Sequence, residues 1–278
     1  MKKQRADELL IRQGWAENAE KAKRFIMTGK VYTREEVQIL TAGEKWAMDT
    51  ELYIKGNELK YVSRGGLKLE KAIKLYELKL TDKVVLDIGS STGGFTDAAL
   101  QNGARLVYAL DVGTNQLAWK LRNDSRVVVM EQTNFRHSKL ADFNHGQPDL
   151  ATIDVSFISL KRILPVLKSI IANEGKVIAL IKPQFEALKE EVGNKGIVTN
   201  PQVHKRVLEN ILEFAYKHEY TLEGLTISPI TGGKGNIEFL AYLTNRLPKN
   251  QNMQEMINAV LSAEEYLGKR NSAVESLE

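Results

Sequence analysis

The sequence predicts an α/β fold in which a parallel sheet is covered by helices on both faces. Two observations carry this reading. Five apolar runs of strand length recur between Val84 and Pro183: "VVLDIGS", "RLVYALDVG", "RVVVME", "DLATIDVS" and "KVIALIKP". Helical stretches such as "GFTDAALQNG" and "ISLKRILPVLKSII" fall between most of them. Strands that alternate with helices argue for a parallel sheet with both faces buried.

The elements ahead of this pattern form a smaller α+β unit over residues 1–54. Ala6, Leu9, Leu10 and Gln13 recur at helical spacing, and Gly14 can cap that helix. Asn18 can open a second helix with Ala22, Phe25 and Ile26 on one face and Gly29 past its end. "KVYTREEVQIL" reads as two short strands around a polar turn and "EKWAMD" as another. Residues 55–61, with "KGNELK", read as a linker. A helix around Leu67–Tyr76 then leads into the first strand of the large unit, residues 62–246. After the fifth strand, "HKRVLENILEFAYKHEYTLEGLTISPI" and "NIEFLAYLTN" read as helix, strand, glycine-rich loop and strand. Residues 247–278 give a last helix, with Met253, Met256, Ile257, Val260 and Leu261 on one face, and a polar tail expected to fray from about Lys269.

Of the 278 residues, 43% are hydrophobic and 27% charged, and none is cysteine. That excludes disulfides and thiolate metal sites and fits a reducing cytoplasm. Four scattered histidines argue against a metal centre. No apolar run approaches the roughly 20 residues of a membrane-spanning helix, and "MKKQRADELLIRQG" turns polar too early for a signal peptide. The net charge is +4, yet residues 1–34 alone carry nine Lys/Arg against four Asp/Glu. A basic module on a near-neutral remainder points to a polyanionic partner. Arg5, Lys21, Lys23, Arg24 and Lys30 are the candidates there, although each taken singly also suits a solvated helix face.

The stretch "VVLDIGSSTGGFTDAAL" is a strand, a glycine-rich turn and a helix, the place where a doubly wound sheet binds nucleotide-like ligands. Gly89, Gly93 and Gly94 match neither the phosphate-gripping loop nor the dinucleotide fingerprint. Asp87 ends the strand before the first glycine. A carboxylate there repels a pyrophosphate and suits a ligand bearing an ammonium and a sulfonium, namely S-adenosylmethionine. Gly89, Ser90, Ser91, Thr92, Gly93, Gly94 and Phe95 make the turn, whose glycines let backbone approach the methionine part. The next strand ends in Asp111 and Val112, where an acid can take two ribose hydroxyls. A nicotinamide cofactor would share Asp111 but not Asp87 or the glycine spacing. Asn134, after the third strand, is a candidate for adenine, and an ordinary loop role serves it equally well.

Six ordered segments, "VSRGGLKLEKAI", "DIGSSTGGFTD", "LDVGTNQLAW", "DVSFISL", "IKPQFE" and "SPITGGKGNIEFL", resemble the motifs of the TlyA family, often labelled hemolysin A. The resemblance implies a Rossmann-like S-adenosylmethionine-dependent methyltransferase fold of the FtsJ-like kind. It also implies 2′-O-methylation of ribosomal RNA, with cytidine targets presented by a ribosomal particle. "RADELLIRQGWAENAEKAKRFIMTGKV" is similar to the S4-like RNA-binding domain that precedes the catalytic domain in that family. One departure is "VYTREE" where such domains usually carry Val-Asn-Gly.

The resemblance further implies a catalytic tetrad, which falls on Lys68, Asp154, Lys182 and Glu238. The residues themselves support three of the four. Asp154 and Lys182 each follow an apolar strand, and Glu238 lies between Ile237 and Phe239 in a strand-like run. Charges in such places need partners. Lys182 is the expected base for a ribose hydroxyl. An ordinary lysine is protonated at neutral pH, so Lys68 and the cofactor's sulfonium are expected to counter the two carboxylates. The loops "GNKGIV" and "TGGKGN" are basic and carry glycine; with Arg64, Lys189, Lys195, Lys205 and Lys234 they are candidates for the RNA backbone. Two other classes remain at this point: a catalytically silent RNA-binding assembly factor, and a membrane-lytic hemolysin. The acidic polar face of the last helix, with Glu255, Glu264 and Glu265, speaks against the latter.

Overall fold

The protein is described by a computed structural model over residues 3–16, 18–55, 60–193, 195–232, 235–248 and 252–275. Two compact units divide between Lys60 and Tyr61. Most of the expected 55–61 linker, residues 56–59, lies outside the described residues.

In the first unit, helix α1 (Ala6–Arg12) buries Ala6, Leu9 and Leu10 against helix α2 (Ala19–Met27), which buries Ala22 and Ile26. Asn18 caps α2 by accepting a hydrogen bond from the Lys21 N–H at 2.9 Å. Gly14, at φ 75°, ends α1 in the left-handed region. Strand β1 (Lys3–Arg5) pairs with β3 (Lys45–Ala47), and β2 (Val31–Thr33) with β4 (Leu52–Ile54), all antiparallel. The expected second strand near Val37–Leu40 is reduced to a single bridge between Tyr32 and Gln38. Two backbone bonds, Thr33 N to the Val37 carbonyl and Ile39 N to the Val31 carbonyl, both 2.8 Å, hold the segment beside β2.

The second unit is a seven-stranded sheet. Helix α3 (Gly65–Leu75) precedes β5 (Val84–Ile88), followed by α4 (Gly94–Gln101), β6 (Leu106–Leu110), α5 (Trp119–Arg122), β7 (Val127–Met130) and β8 (Leu150–Ile153). The chain continues through α6 (Leu164–Lys168), β9 (Lys176–Ile181), α7 (Pro183–Glu186), α8 (Pro201–Lys217), β10 (Tyr220–Ile227), β11 (Phe239–Asn245), α9 (Met253–Ser262) and α10 (Glu264–Glu275). The strand order is β10-β11-β9-β8-β5-β6-β7. The five strands read from the sequence are mutually parallel, whereas β11 runs antiparallel to both β9 and β10.

Helices α6, α8 and α9 contribute to the core on one sheet face, and α3 and α4 to that on the other. The apolar stripe of α8, Val203, Val207, Leu208, Ile211 and Leu212, follows the helical period. Each such buried side chain contributes about 1.5–3 kcal/mol of transfer free energy. Two expectations are revised. "ISLKRILPVLKSII" is a 3-10 turn at Leu160–Arg162 and a short α6 rather than one long helix. Pro165 lacks an N–H and fits only the first turn of a helix. The tail does not fray at Lys269, because α10 continues to Glu275. Tyr266 is buried, and Lys269 Nζ donates to the Ser228 carbonyl at 2.5 Å.

Gly94 lets α3 and α4 approach. A Cβ there would lie 2.2 Å from Ser63 Oγ and 2.8 Å from Gly66 N. That contact seats α3 beside the carboxyl ends of the parallel strands, where the sheet's side-chain chemistry collects.

Candidate active site

In the second unit the chain runs outward from β5 to β6 and β7, then returns to lay β8 on the other side of β5. This switch opens a crevice at the strands' carboxyl ends. The residue next after each strand therefore faces one space: Gly89 after β5, Asp111 after β6, Asp154 after β8 and Lys182 after β9. The antiparallel β11 brings the fifth element. Its first residue, Phe239, pairs with Ile181, the last residue of β9. Glu238 thus stands just ahead of β11, beside Lys182, and not inside the strand as its flanking apolar residues imply. Its carbonyl accepts the Ser228 N–H at 2.8 Å, which extends the ladder by one bond.

Four charged side chains meet there. Lys68 Nζ, from α3, donates to Asp154 Oδ2 at 3.1 Å and to Glu238 Oε2 at 2.9 Å. Lys182 Nζ lies 2.6 Å from Asp154 Oδ1 and 3.3 Å from Ser156 Oγ. Lys68, Lys182 and Glu238 are buried and Asp154 nearly so. Two cations alternate with two carboxylates, so the cluster is formally neutral. Burial works against the Lys68 ammonium, but attraction by Asp154 and Glu238 outweighs it and holds that group above its ordinary pKa. Burial likewise works against the Asp154 carboxylate, and Lys68 and Lys182 outweigh it, holding that group below the usual carboxylate value.

The cluster forms part of the wall of a cavity of about 350 Å³, also lined by Arg64, Asp87, Gly89–Thr92, Gly94, Phe95 and Ile230–Gly232. A second cavity of about 530 Å³ shares Gly89, Ser91, Asp154 and Ser156 and reaches Asp111, Val112 and Asn134. The glycine turn is crowded. Gly89 has φ 84°, and a Cβ there would lie 2.5 Å from the Asp154 carbonyl oxygen. Any side chain at Gly89 would push the turn off β8 and disturb Asp154.

The structure brings together most of the expected cofactor residues with one change of emphasis. Asp87 lines the cavity, yet its Oδ2 accepts from Thr96 N at 3.0 Å and Thr96 Oγ1 at 2.7 Å. Its Oδ1 accepts from Thr152 Oγ1 at 2.9 Å. It therefore also pins the start of α4 to β8. Burial pushes its pKa up to about 6 despite these donors. Asp111 accepts from the Ser91 N–H and the Gly113 N–H, both at 2.8 Å. Val112 is exposed at the rim, and Asn134 caps a 3-10 turn through Arg136 N. Gly93 lines neither cavity and serves the turn with φ 96°.

The RNA candidates scatter. Arg64 lines the smaller cavity. Arg5 is engaged by Asp7 through two hydrogen bonds of 3.0 and 2.8 Å. Lys23, Arg24 and Lys30 are exposed on or just after α2, and Lys21 is half-buried. Lys189 and Lys195 are exposed and Lys205 half-buried, all three away from both cavities. Lys234 lies outside the described residues.

Several site residues escaped the sequence. Ser156 contacts Lys182 two residues after Asp154, a spacing that the "DVSF" stretch offered. Thr231 and Gly232, from the loop read as a candidate for the RNA backbone, and Ile230 just before it wall the cavity. Glu131 organises the rim. It accepts from Asn115, Gln116 and Leu117 N–H groups and from Arg122, whose guanidinium foremost holds its pKa down to about 2. No pattern signals that role in advance.

Residues 61–245 match the model of the FtsJ-like methyltransferase family. The chain is 59% identical over 87% of its length to a Bacillus subtilis protein provisionally named rRNA methyltransferase YqxC, covering 86% of that protein. It is 35% identical over 93% of its length to the 16S/23S rRNA (cytidine-2′-O)-methyltransferase TlyA of Mycobacterium tuberculosis, covering 97% of it. A solved structure from Streptococcus thermophilus, provisionally named a hemolysin, superposes with a TM-score of 0.82 at 50% identity, covering 98% of this chain and 99% of that one.

Proposed function

The chain belongs to the FtsJ-like methyltransferase family, and we propose that it methylates the 2′-oxygen of a ribose in ribosomal RNA. The donor is S-adenosylmethionine and the target a cytidine of small- or large-subunit RNA, presented by a ribosomal subunit in the cytoplasm. The names of the relatives at 59% and 35% identity support the substrate class. The observation that carries the reaction is the Lys68–Asp154–Lys182–Glu238 cluster in the wall of a cavity bounded by the glycine turn.

The residues present suit the cofactor. Asp87 offers a carboxylate in one cavity and Asp111 in the other, while the crowded Gly89 leaves bare backbone between them. Leu110, Phe135 and Ile163 give the larger cavity an apolar wall for a purine, with Asn134 at its side. When bound, the cofactor supplies an electrophilic methyl group. A ribose hydroxyl is a weak nucleophile and must lose its proton as the new bond forms. Lys182, once its own ammonium proton has passed to solvent, takes that proton on Nζ. Asp154 orients Lys182 through one oxygen and Lys68 through the other, and Glu238 completes the hold on Lys68.

Residues 1–54 serve as the S4-like RNA-gripping unit, with Lys21, Lys23 and Arg24 on its basic helix, Lys30 just after it and Arg5 reserved for Asp7. Among the described residues, no helix is long and apolar enough to cross a membrane. The test combines isotopically labelled methyl donor with unmodified ribosomal subunits and with free ribosomal RNA, then maps the product by mass. A methylated ribose is expected. Label on a base overturns the role of Lys182, and no label on any RNA overturns the enzymatic reading.

A further inference from the structure

Arg64 is the one charged residue lining the smaller cavity that neither the tetrad nor the glycine turn uses. It stands immediately before α3, four residues ahead of Lys68. The residue is half-buried, and among the described residues its guanidinium makes no hydrogen bond or ion pair. Its interaction with Glu238 is a longer-range attraction only. A partly desolvated cation without a hydrogen-bonding partner carries a cost that an anionic ligand would offset. Burial accordingly lowers its pKa.

The charges around it sharpen the point. Lys68 and Lys182 are balanced by Asp154 and Glu238, and Lys68 already spans both carboxylates. Asp87 is satisfied by Thr96 and Thr152. Arg64 is therefore the cation of this wall that no carboxylate among the described residues contacts directly, and it carries a planar fork of donors suited to two oxygens at once.

From this geometry we propose that Arg64 is an oxyanion-binding subsite of the cavity. The oxyanion is either a phosphate of the RNA chain beside the reacting ribose or the carboxylate of the cofactor's methionine tail. The inference rests on the methyl-transfer reading given above. In either case Arg64 registers a ligand against Lys182: the fork grips two oxygens while the tetrad addresses the hydroxyl. A lysine in its place keeps the charge but loses the two-point grip.

Two measurements on the full chain decide it, with wild type, Arg64→Ala and Arg64→Lys compared. The first is calorimetric titration of S-adenosylmethionine without RNA. If the carboxylate is the ligand, Arg64→Ala weakens binding about tenfold or more, and Arg64→Lys falls between. The second is kcat/KM for methyl transfer to unmodified ribosomal subunits across a potassium chloride series. If the phosphate is the ligand, cofactor affinity is unchanged. The logarithmic salt slope of Arg64→Ala is then shallower by about 0.7–0.9, the value of one lost phosphate contact, while Arg64→Lys keeps the wild-type slope at a higher KM. Unchanged cofactor affinity together with an unchanged slope in Arg64→Ala overturns the subsite. Wild type that transfers no methyl to any RNA overturns the ribose reading and the phosphate source. The calorimetric arm then decides the subsite alone, with unchanged affinity overturning it.

Discussion

At the residue scale, the site is an alternation of charges rather than a single activated group. Lys68 contacts both carboxylates, and Asp154 contacts both lysines. Removing Lys182 takes away the proposed base, so Lys182→Ala should reduce methyl transfer by about 10²–10⁴-fold. Calorimetry should find S-adenosylmethionine affinity within a few-fold of wild type, and retained turnover would sink the assignment. Asp87 gives a pH prediction. Its pKa is raised to about 6 by burial, so the carboxyl is neutral below that pH and anionic above it. A cationic cofactor should bind more tightly as pH rises through about 6, and Asp87→Asn should flatten the profile. The glycine turn and the strand-end acids were legible in the sequence because each is a local feature: a residue type at the end of an apolar run. The double role of Asp87 was not. Thr96 lies nine residues on, but Thr152 is 65 residues away, and only packing makes it a donor.

At the element scale, the C-terminal helices brace the segment that carries Glu238 just ahead of β11. His204 of α8 sits between Tyr266 of α10, at 2.9 Å from its hydroxyl, and the Val198 carbonyl, at 3.0 Å. A carbonyl only accepts, so Nε2 carries the hydrogen and Nδ1 accepts the Tyr266 O–H. Val198 N in turn donates to Asn236, two residues before Glu238, at 3.0 Å. Burial lowers the His204 pKa to about 4. Unfolded histidine titrates near 6.5, so the unfolded chain takes the proton first. The stabilisation is complete above pH 6.5 and drains away as pH falls toward 4, a loss of roughly 3 kcal/mol. Denaturant unfolding at pH 7, 5.5 and 4 should show His204→Gln losing less stability than wild type over that range. Asp87 contributes with the opposite sign but is common to both proteins, so the difference isolates His204. Parallel pH profiles would refute the neutral, buried histidine.

At the scale of the whole molecule, the chain couples a small basic unit to a larger one that carries the cavity. Lys23 and Arg24 lie exposed on the same helix. If residues 1–60 grip RNA, Lys23→Glu with Arg24→Glu should raise KM for ribosomal subunits several-fold and make the salt dependence shallower. Melting temperature and cofactor affinity should stay as in wild type. An unchanged KM would assign the grip elsewhere.

The sequence by itself determined the α/β class, the two-part organisation, and the glycine turn with Asp87 and Asp111. Period and strand-end position are one-dimensional properties, readable wherever an apolar run stops. It also placed Asp154 and Lys182 after apolar strands by the same logic. The tertiary structure decided which charges meet. Glu238 reaches Lys68 across 170 residues because β11 runs antiparallel to β9 with Phe239 opposite Ile181. Asp154 reaches it across 86 because β8 lies beside β5. Strand order and register arise from how whole faces pack. No local pattern therefore showed that Glu238 precedes its strand, that Arg64 turns into the cavity, or that the "TGGKGN" loop walls the site.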